Sequence, residues 1–230
     1  MIEIGAPRII LPRNAEITSE AVSVDITSAK GAKKEFVVVL GDLTQVNADA
    51  ITCPANPGFE FAGFGGVQSA LERAAGIEVF DEAEAKAKTL AQTEDGMDYG
   101  GYRGLPTGYA IATGAGRLSE RYRNIIHVNS MPRRTDSAMD DIDVVRISTD
   151  RTLEAAERLN LRSIALPALG TGLFGMDLRD CLLGTLSGVR TFYGETRPDA
   201  KLDRVLFVVY AQPSMSNAQT ARGFIEQQLS

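Results

Sequence analysis

The sequence predicts an α/β protein, a sheet covered by helices on both faces. Three observations predict it. Short apolar runs rich in β-branched residues recur along the chain, as in Phe36-Val37-Val38-Val39-Leu40. Between them stand longer stretches with apolar residues at helical spacing. The glycine-bearing loops all follow strands, and in such sheets ligands bind beyond the carboxyl ends of the strands.

The elements follow in order. Val22 to Thr27 alternate apolar and polar residues, the period of a half-buried strand. A polar turn at residues 28–34 leads into the strand at 36–40, so residues 1–35 read as an N-terminal β extension joined to the main sheet by a hairpin. A short strand is expected at 50–53. A helix follows at 66–75, with Val67, Ala70, Leu71, Ala74 and Ala75 on its apolar side, closed by Gly76. Residues 79–91, rich in Ala, Glu and Lys, predict a second helix. Residues 93–104 are polar and glycine-rich and read as a loop. Strands are expected at 109–113 and 124–128, and an amphipathic helix at 143–159. A buried strand at 163–166, a helix at 176–193, a strand at 205–210 and a helix at 217–229 complete the chain.

A chain of 230 residues suits one large domain or a domain with an extension. No run approaches the roughly 20 apolar residues of a membrane span. The N-terminus lacks a basic flank and an apolar signal core. The two cysteines, Cys53 and Cys181, have no metal-ligand spacing and sit among apolar residues. A reducing, cytoplasmic location is the default expectation. The net charge of −6 and the lack of a Lys/Arg cluster argue against an extended nucleic-acid surface. No metal site and no bound cofactor are expected. The sole histidine, His127, lies inside an apolar strand and reads as a buried structural residue, with no Ser/His/Asp set around it.

The stretch 167–175 (Pro-Ala-Leu-Gly-Thr-Gly-Leu-Phe-Gly) places three glycines in six residues between a strand and a helix. Such a backbone can approach a ligand closely, and its amides with the following helix end suit a phosphate. A plain tight turn is the alternative. Three more stretches accompany it in order: Val39-Leu40-Gly41-Asp42-Leu43-Thr44; Asp49 to Asn56 with Gly63-Phe64-Gly65-Gly66-Val67; and Leu105-Pro106-Thr107-Gly108-Tyr109-Ala110 with Ile125-Ile126-His127-Val128. Together they resemble the macrodomain family, which binds ADP-ribose, over residues 36–229.

The resemblance implies a three-layer α/β/α fold with a central mixed sheet at 36–230, and ADP-ribose as ligand rather than as a cofactor. It implies that Asp42 accepts from the adenine amino group and that the Leu43 amide reads the ring, where the alternative for Asp42 is a turn cap. It implies that Asn56 holds the distal ribose near its anomeric carbon, where the alternative is a structural turn asparagine. Gly63, Gly65, Gly66 and Val67 resemble a first phosphate and ribose loop. Leu169, Gly170, Thr171, Gly172, Leu173 and Phe174 resemble a second, with Phe174 on the distal ribose or, alternatively, in the core. Tyr210 matches the aromatic on the adenine face, or simply closes a strand.

Three departures matter. The segment after the second strand reads Cys53-Pro54-Ala55-Asn56, keeping only the last asparagine of a common family pattern. The following segment is longer than usual and carries Phe59, Phe61 and Phe64. Gln68 stands where the well-studied hydrolases of the family place an aspartate; glutamine cannot serve as a general base. Two functions are therefore expected in competition, with a doubly wound domain whose cleft is empty or repurposed as a weaker third reading. One is an ADP-ribosyl hydrolase acting through Asn56, Phe174 and the Gln68 position, with water attacking the distal anomeric carbon. The other is a module that reads ADP-ribose, free or attached to a macromolecule, without turnover.

Overall fold

The fold is described by a computed structural model covering residues 2–5, 8–10, 21–61, 65–131, 139–172 and 175–210. The expected helix at 217–229 lies outside the described residues. Strands β1 (Glu3–Ile4), β2 (Arg8–Ile10), β3 (Ala21–Thr27) and β4 (Lys33–Leu40) come first, then β5 (Ala50–Ala55). Helices α1 (Gly66–Ala75) and α2 (Ile77–Leu90) follow, then β6 (Met97–Asp98), β7 (Arg103–Gly104), β8 (Ala110–Gly114) and β9 (Asn124–Asn129). Helix α3 (Asp141–Arg158), β10 (Ser163–Pro167), α4 (Leu178–Thr191) and β11 (Arg204–Val209) close the described chain.

Among the described residues the main sheet has nine strands in the order β1-β3-β4-β11-β10-β5-β9-β8, with β2 also paired to β3. Strands β4, β11, β10, β5 and β9 run parallel. The hairpin expected at the N-terminus is present: β3 pairs antiparallel with β4, Ala21 opposite Val39 and Thr27 opposite Lys33. At the other end β8 is antiparallel to β9. The sheet is therefore mixed, as the resemblance implies.

The pleat sorts the apolar side chains onto two faces. Phe36, Val38, Ile164, Leu166, Val205 and Phe207 face one core, shared with α3 and α4 through Val145, Leu153, Leu182 and Val189. Val37, Val39, Ile51, Ala165, Leu206 and Val208 face the other, shared with α1 and α2 through Leu71, Ala75, Val79 and Phe80. Each fully buried side chain of this size contributes about 1.5–3 kcal/mol, so both layers are firmly held to the sheet.

Gly76 explains why α2 starts two residues earlier than its composition indicates. At φ 104° it ends α1 and also serves as the N-cap of α2, so no linker is needed. The segment read as a loop at 93–104 contains the small hairpin β6–β7. It is fastened by Arg103, whose guanidinium donates to the carbonyls of Ala91, Thr93 and Gly96 at the end of α2.

Candidate functional site

The carboxyl ends of the parallel strands deliver the expected site segments to one rim. Asp42 and Leu43 follow β4, Tyr210 follows β11, residues 168–176 follow β10, and residues 56–65 follow β5. Gly41 N–H donates to the Val209 carbonyl at 2.9 Å, which sets Asp42 beside Tyr210. Tyr210 is 67% exposed. Strands β5 and β10 are direct neighbours, Ile164 opposite Ala50. The second glycine loop therefore leaves the sheet beside the segment that leads from β5 toward the first.

The first loop opens α1. Gly65 at φ 82° and Gly66 at φ 64° adopt backbone that side chains avoid, and a Cβ built at either meets nothing within 4 Å. No side chain caps the helix; Gly65 N–H donates to Ser69 Oγ at 3.1 Å. The remaining first-turn amides of α1 point off its end, where the helix dipole favours an anion. Val67 packs toward the core under α1.

The second loop is held by its own bonds. Thr171 Oγ1 donates to the Ala168 carbonyl at 2.8 Å, Gly175 N–H to Gly172 and Met176 N–H to Gly170, both at 3.1 Å. The N–H groups of Gly170 and Gly172 have no partner among the described residues. A Cβ at Gly172 would also meet nothing within 4 Å. Leu169 and Met176 anchor this loop in the core under α3 and α4. Gly63, Phe64, Leu173 and Phe174 lie outside the described residues, so the positions expected of them are not described.

Asp42 is exposed and caps the turn Leu43–Gln45: its Oδ1 accepts from the Thr44 N–H and Oγ1, both at 2.8 Å. Asn56 organises the turn that follows β5. Its Oδ1 accepts from Gly58 N–H at 3.0 Å and Glu60 N–H at 3.1 Å, and its Nδ2 donates to the Glu60 carbonyl at 2.9 Å. The turn roles weighed for both residues are thus present in the fold. Gln68 sits half-buried in the first turn of α1.

Two aromatics of the insert, Phe59 and Phe61, pack into the body of the fold. Phe59, fully buried at φ 54°, packs with Ala55, Ala87, Ala91, Leu105 and Ile111. Phe61 turns edge-on to Phe80 at 4.7 Å and to His127 at 5.4 Å. His127 is buried as expected: Nε2 pairs with Thr113 Oγ1 at 3.0 Å, and Nδ1 has no partner among the described residues. Burial first, and the Lys86 charge second, lower its pKa to about 3, so the ring is neutral. Burial pushes the Cys181 thiol up to about 12 and the Cys53 thiol up as well, which rules out a reactive thiolate in either. Among the described residues no three His, Cys, Asp or Glu side chains gather as a metal set. No described helix is long and apolar enough to cross a membrane.

The Macro domain family profile matches residues 54–183. The chain belongs to the macrodomain family. A macro domain-containing protein of Streptomyces griseus is 34% identical over 175 residues, covering 76% of this chain and 88% of its own. The solved Oceanobacillus iheyensis macrodomain with ADP aligns with a TM-score of 0.65 at 22% identity, over 91% of this chain and 100% of that one. The Trypanosoma brucei macrodomain in complex with ADP-ribose aligns at 0.61 and 22% identity, over 85% and 69%. These likenesses establish the macrodomain fold.

In this macrodomain sequence reasoning missed two supports of the rim. Tyr122, 1% exposed, donates its hydroxyl to the carbonyls of Val46 and Leu43. Arg121 Nη1 donates to the Gln45 carbonyl at 3.0 Å. No local signal marks either residue, because their partners lie 76 or more positions away.

Proposed function

We propose that this macrodomain binds ADP-ribose, free or carried by a macromolecule, along the carboxyl rim of its sheet. What supports the reading is a pair of glycine-rich backbone cradles on loops that follow adjacent strands. Gly66 at the head of α1 and Gly172 after β10 each face open space, and the loop amides of Gly170 and Gly172 are unpaired among the described residues. A diphosphate supplies what these donors lack, without cationic side chains. The adenine would lie between Asp42 and Tyr210, where stacking on the exposed ring is worth roughly 1–3 kcal/mol. The distal ribose would reach Asn56. The solved relatives that hold ADP and ADP-ribose support this reading.

The local chemistry favours reading over turnover. Asn56 spends both ends of its amide on its own turn, and Gln68 offers no carboxylate to take a proton. A second reading, slow hydrolysis, rests on positioning alone. Water would form a bond to the distal anomeric carbon, the bond from that carbon to the acceptor oxygen would break, and the departing oxygen would take the proton that the water gives up.

Calorimetry with ADP-ribose, AMP and NAD tests binding. Heat with ADP-ribose at micromolar ligand is expected, and its absence overturns the proposal. Incubation with mono-ADP-ribosylated protein then separates the readings. Label retained over hours fits a reader; its release fits the hydrolase.

A further inference from the structure

Beyond Asn56 the rim continues into the β6–β7 hairpin. The turn that Asn56 holds together ends at Glu60, an exposed carboxylate. This turn is tied to the β6–β7 hairpin: Leu105 N–H donates to the Pro57 carbonyl at 2.8 Å. On that hairpin Tyr99 and Tyr102 stack, ring centroids 5.6 Å apart and planes 20° from parallel. Tyr99 is fixed by its hydroxyl, which donates to the Leu105 carbonyl at 2.9 Å. Tyr102 is 50% exposed, one of the few large apolar side chains left at the surface among the described residues. The Leu105–Pro57 bond and the close packing of Gly104 on Pro57 bring the Glu60 turn against this hairpin, and the phenol is held above the usual value by partial burial and then by the charge of Glu60.

The hairpin is built to hold this ring rigidly. Arg103, the residue after Tyr102, is locked on three carbonyls. The reverse turn between the tyrosines is made by Gly100 and Gly101, both at positive φ. A preorganised exposed aromatic loses little freedom on binding, so it suits a contact surface. Its surroundings choose the partner. Glu60 faces it from the neighbouring turn and Asp98 is exposed on the same hairpin; of the cations near them, Lys88 is paired with Glu84 and Arg103 is engaged on carbonyls. An electron-rich ring with a carboxylate close by attracts lysine and arginine side chains, and it repels a phosphate backbone.

We propose that Tyr102, stacked on Tyr99 and flanked by Glu60, forms an acceptor subsite that takes basic side chains next to an ADP-ribosylated residue in a protein substrate or ligand. This rests on the ADP-ribose reading above. A chain attached at the distal ribose leaves the site past Asn56 and meets Glu60 and Tyr102 next. The subsite therefore selects which modified protein is engaged, while the glycine cradles hold the common ADP-ribose.

The test uses the full chain and four probes: free ADP-ribose, an ADP-ribosylated peptide flanked by lysine and arginine, the same peptide flanked by glutamate, and an ADP-ribosylated single-stranded oligonucleotide. Affinity is read, or kcat/KM where turnover occurs. The basic peptide is expected to be favoured over the acidic one by roughly five- to tenfold, falling as salt is raised. Tyr102→Ser and Glu60→Gln are each expected to shrink that preference while leaving free ADP-ribose affinity unchanged; Tyr102→Phe is expected to keep it. Equal binding of the two peptides overturns the proposal. So does a preference for the oligonucleotide, which would assign the tyrosines to base stacking. Failure to bind free ADP-ribose would instead remove the functional reading itself, and this inference with it.

Discussion

The Tyr122 hydroxyl donates to the Val46 carbonyl at 2.8 Å and is shared with the Leu43 carbonyl at 3.2 Å. One buried side chain thus braces the turn that carries Asp42 and Leu43, the proposed adenine contacts. Burial pushes its phenol up to about 12, so it remains a donor at any physiological pH.

Tyr122→Phe should therefore loosen this turn without opening a cavity. Two carbonyls lose a donor, a cost of about 1 kcal/mol. For a chain of this size that lowers Tm by roughly 2–4 °C. ADP-ribose affinity is expected to drop by roughly fivefold. Paired melting and calorimetry check it; an unchanged affinity would detach the turn from adenine recognition.

Gly172→Glu should leave the fold intact, because the new Cβ meets nothing within 4 Å and the residue is exposed. A carboxylate placed beside the diphosphate is expected to raise the ADP-ribose Kd by about a hundredfold or more. The matching control is the melting curve, which should shift by no more than about 0.5 kcal/mol of stability. Retained affinity would move the ligand elsewhere on the molecule.

Asn56→Ala removes three hydrogen bonds from the turn 56–60. A stability loss of about 1–3 kcal/mol is expected, read by denaturant unfolding. Comparison of ADP-ribose with ADP then isolates the distal ribose. If Asn56 touches that sugar, ADP-ribose weakens more than ADP; equal weakening leaves the residue with its turn alone.

His127 gives the protein a defined acid response. Its folded pKa, about 3, lies below the unfolded value of 6.5, so the unfolded chain takes up the proton first. The neutral ring's contribution is complete above pH 6.5 and is lost as pH falls from about 6.5 toward 3. His127→Gln, which does not titrate, should flatten stability against pH across that window. An unchanged slope in equilibrium unfolding would assign the acid sensitivity to carboxylates.

Local patterns made most of the fold legible. The limits of α1, set by Gly65-Gly66 and Gly76, agree with the structure because glycines mark both of its ends. The alternation of the strands assigned both helix layers. The β6–β7 hairpin went unseen because strands of two residues leave no period to detect. The helix expected at 176–193 instead begins at Leu178, behind the Asp177 cap, and passes at Phe192 into a wider π turn. At the site, glycine spacing revealed the cradles, since backbone conformation is written in residue type. Phe59 at positive φ carried no such mark, because tertiary packing forces an aromatic residue into that conformation. Tyr122 and the Tyr99–Tyr102 stack depend on where distant segments meet, which local reading does not supply.

The two glycine loops grow from different hydrophobic layers, one rooted by Leu169 and Met176, the other by Val67 and Leu71. A ligand gripped by both would rivet together halves of the molecule whose side chains the sheet keeps apart. Occupancy would then be felt at a distance, as slowed amide exchange in α1 and in α4 alike, although neither helix need change its shape.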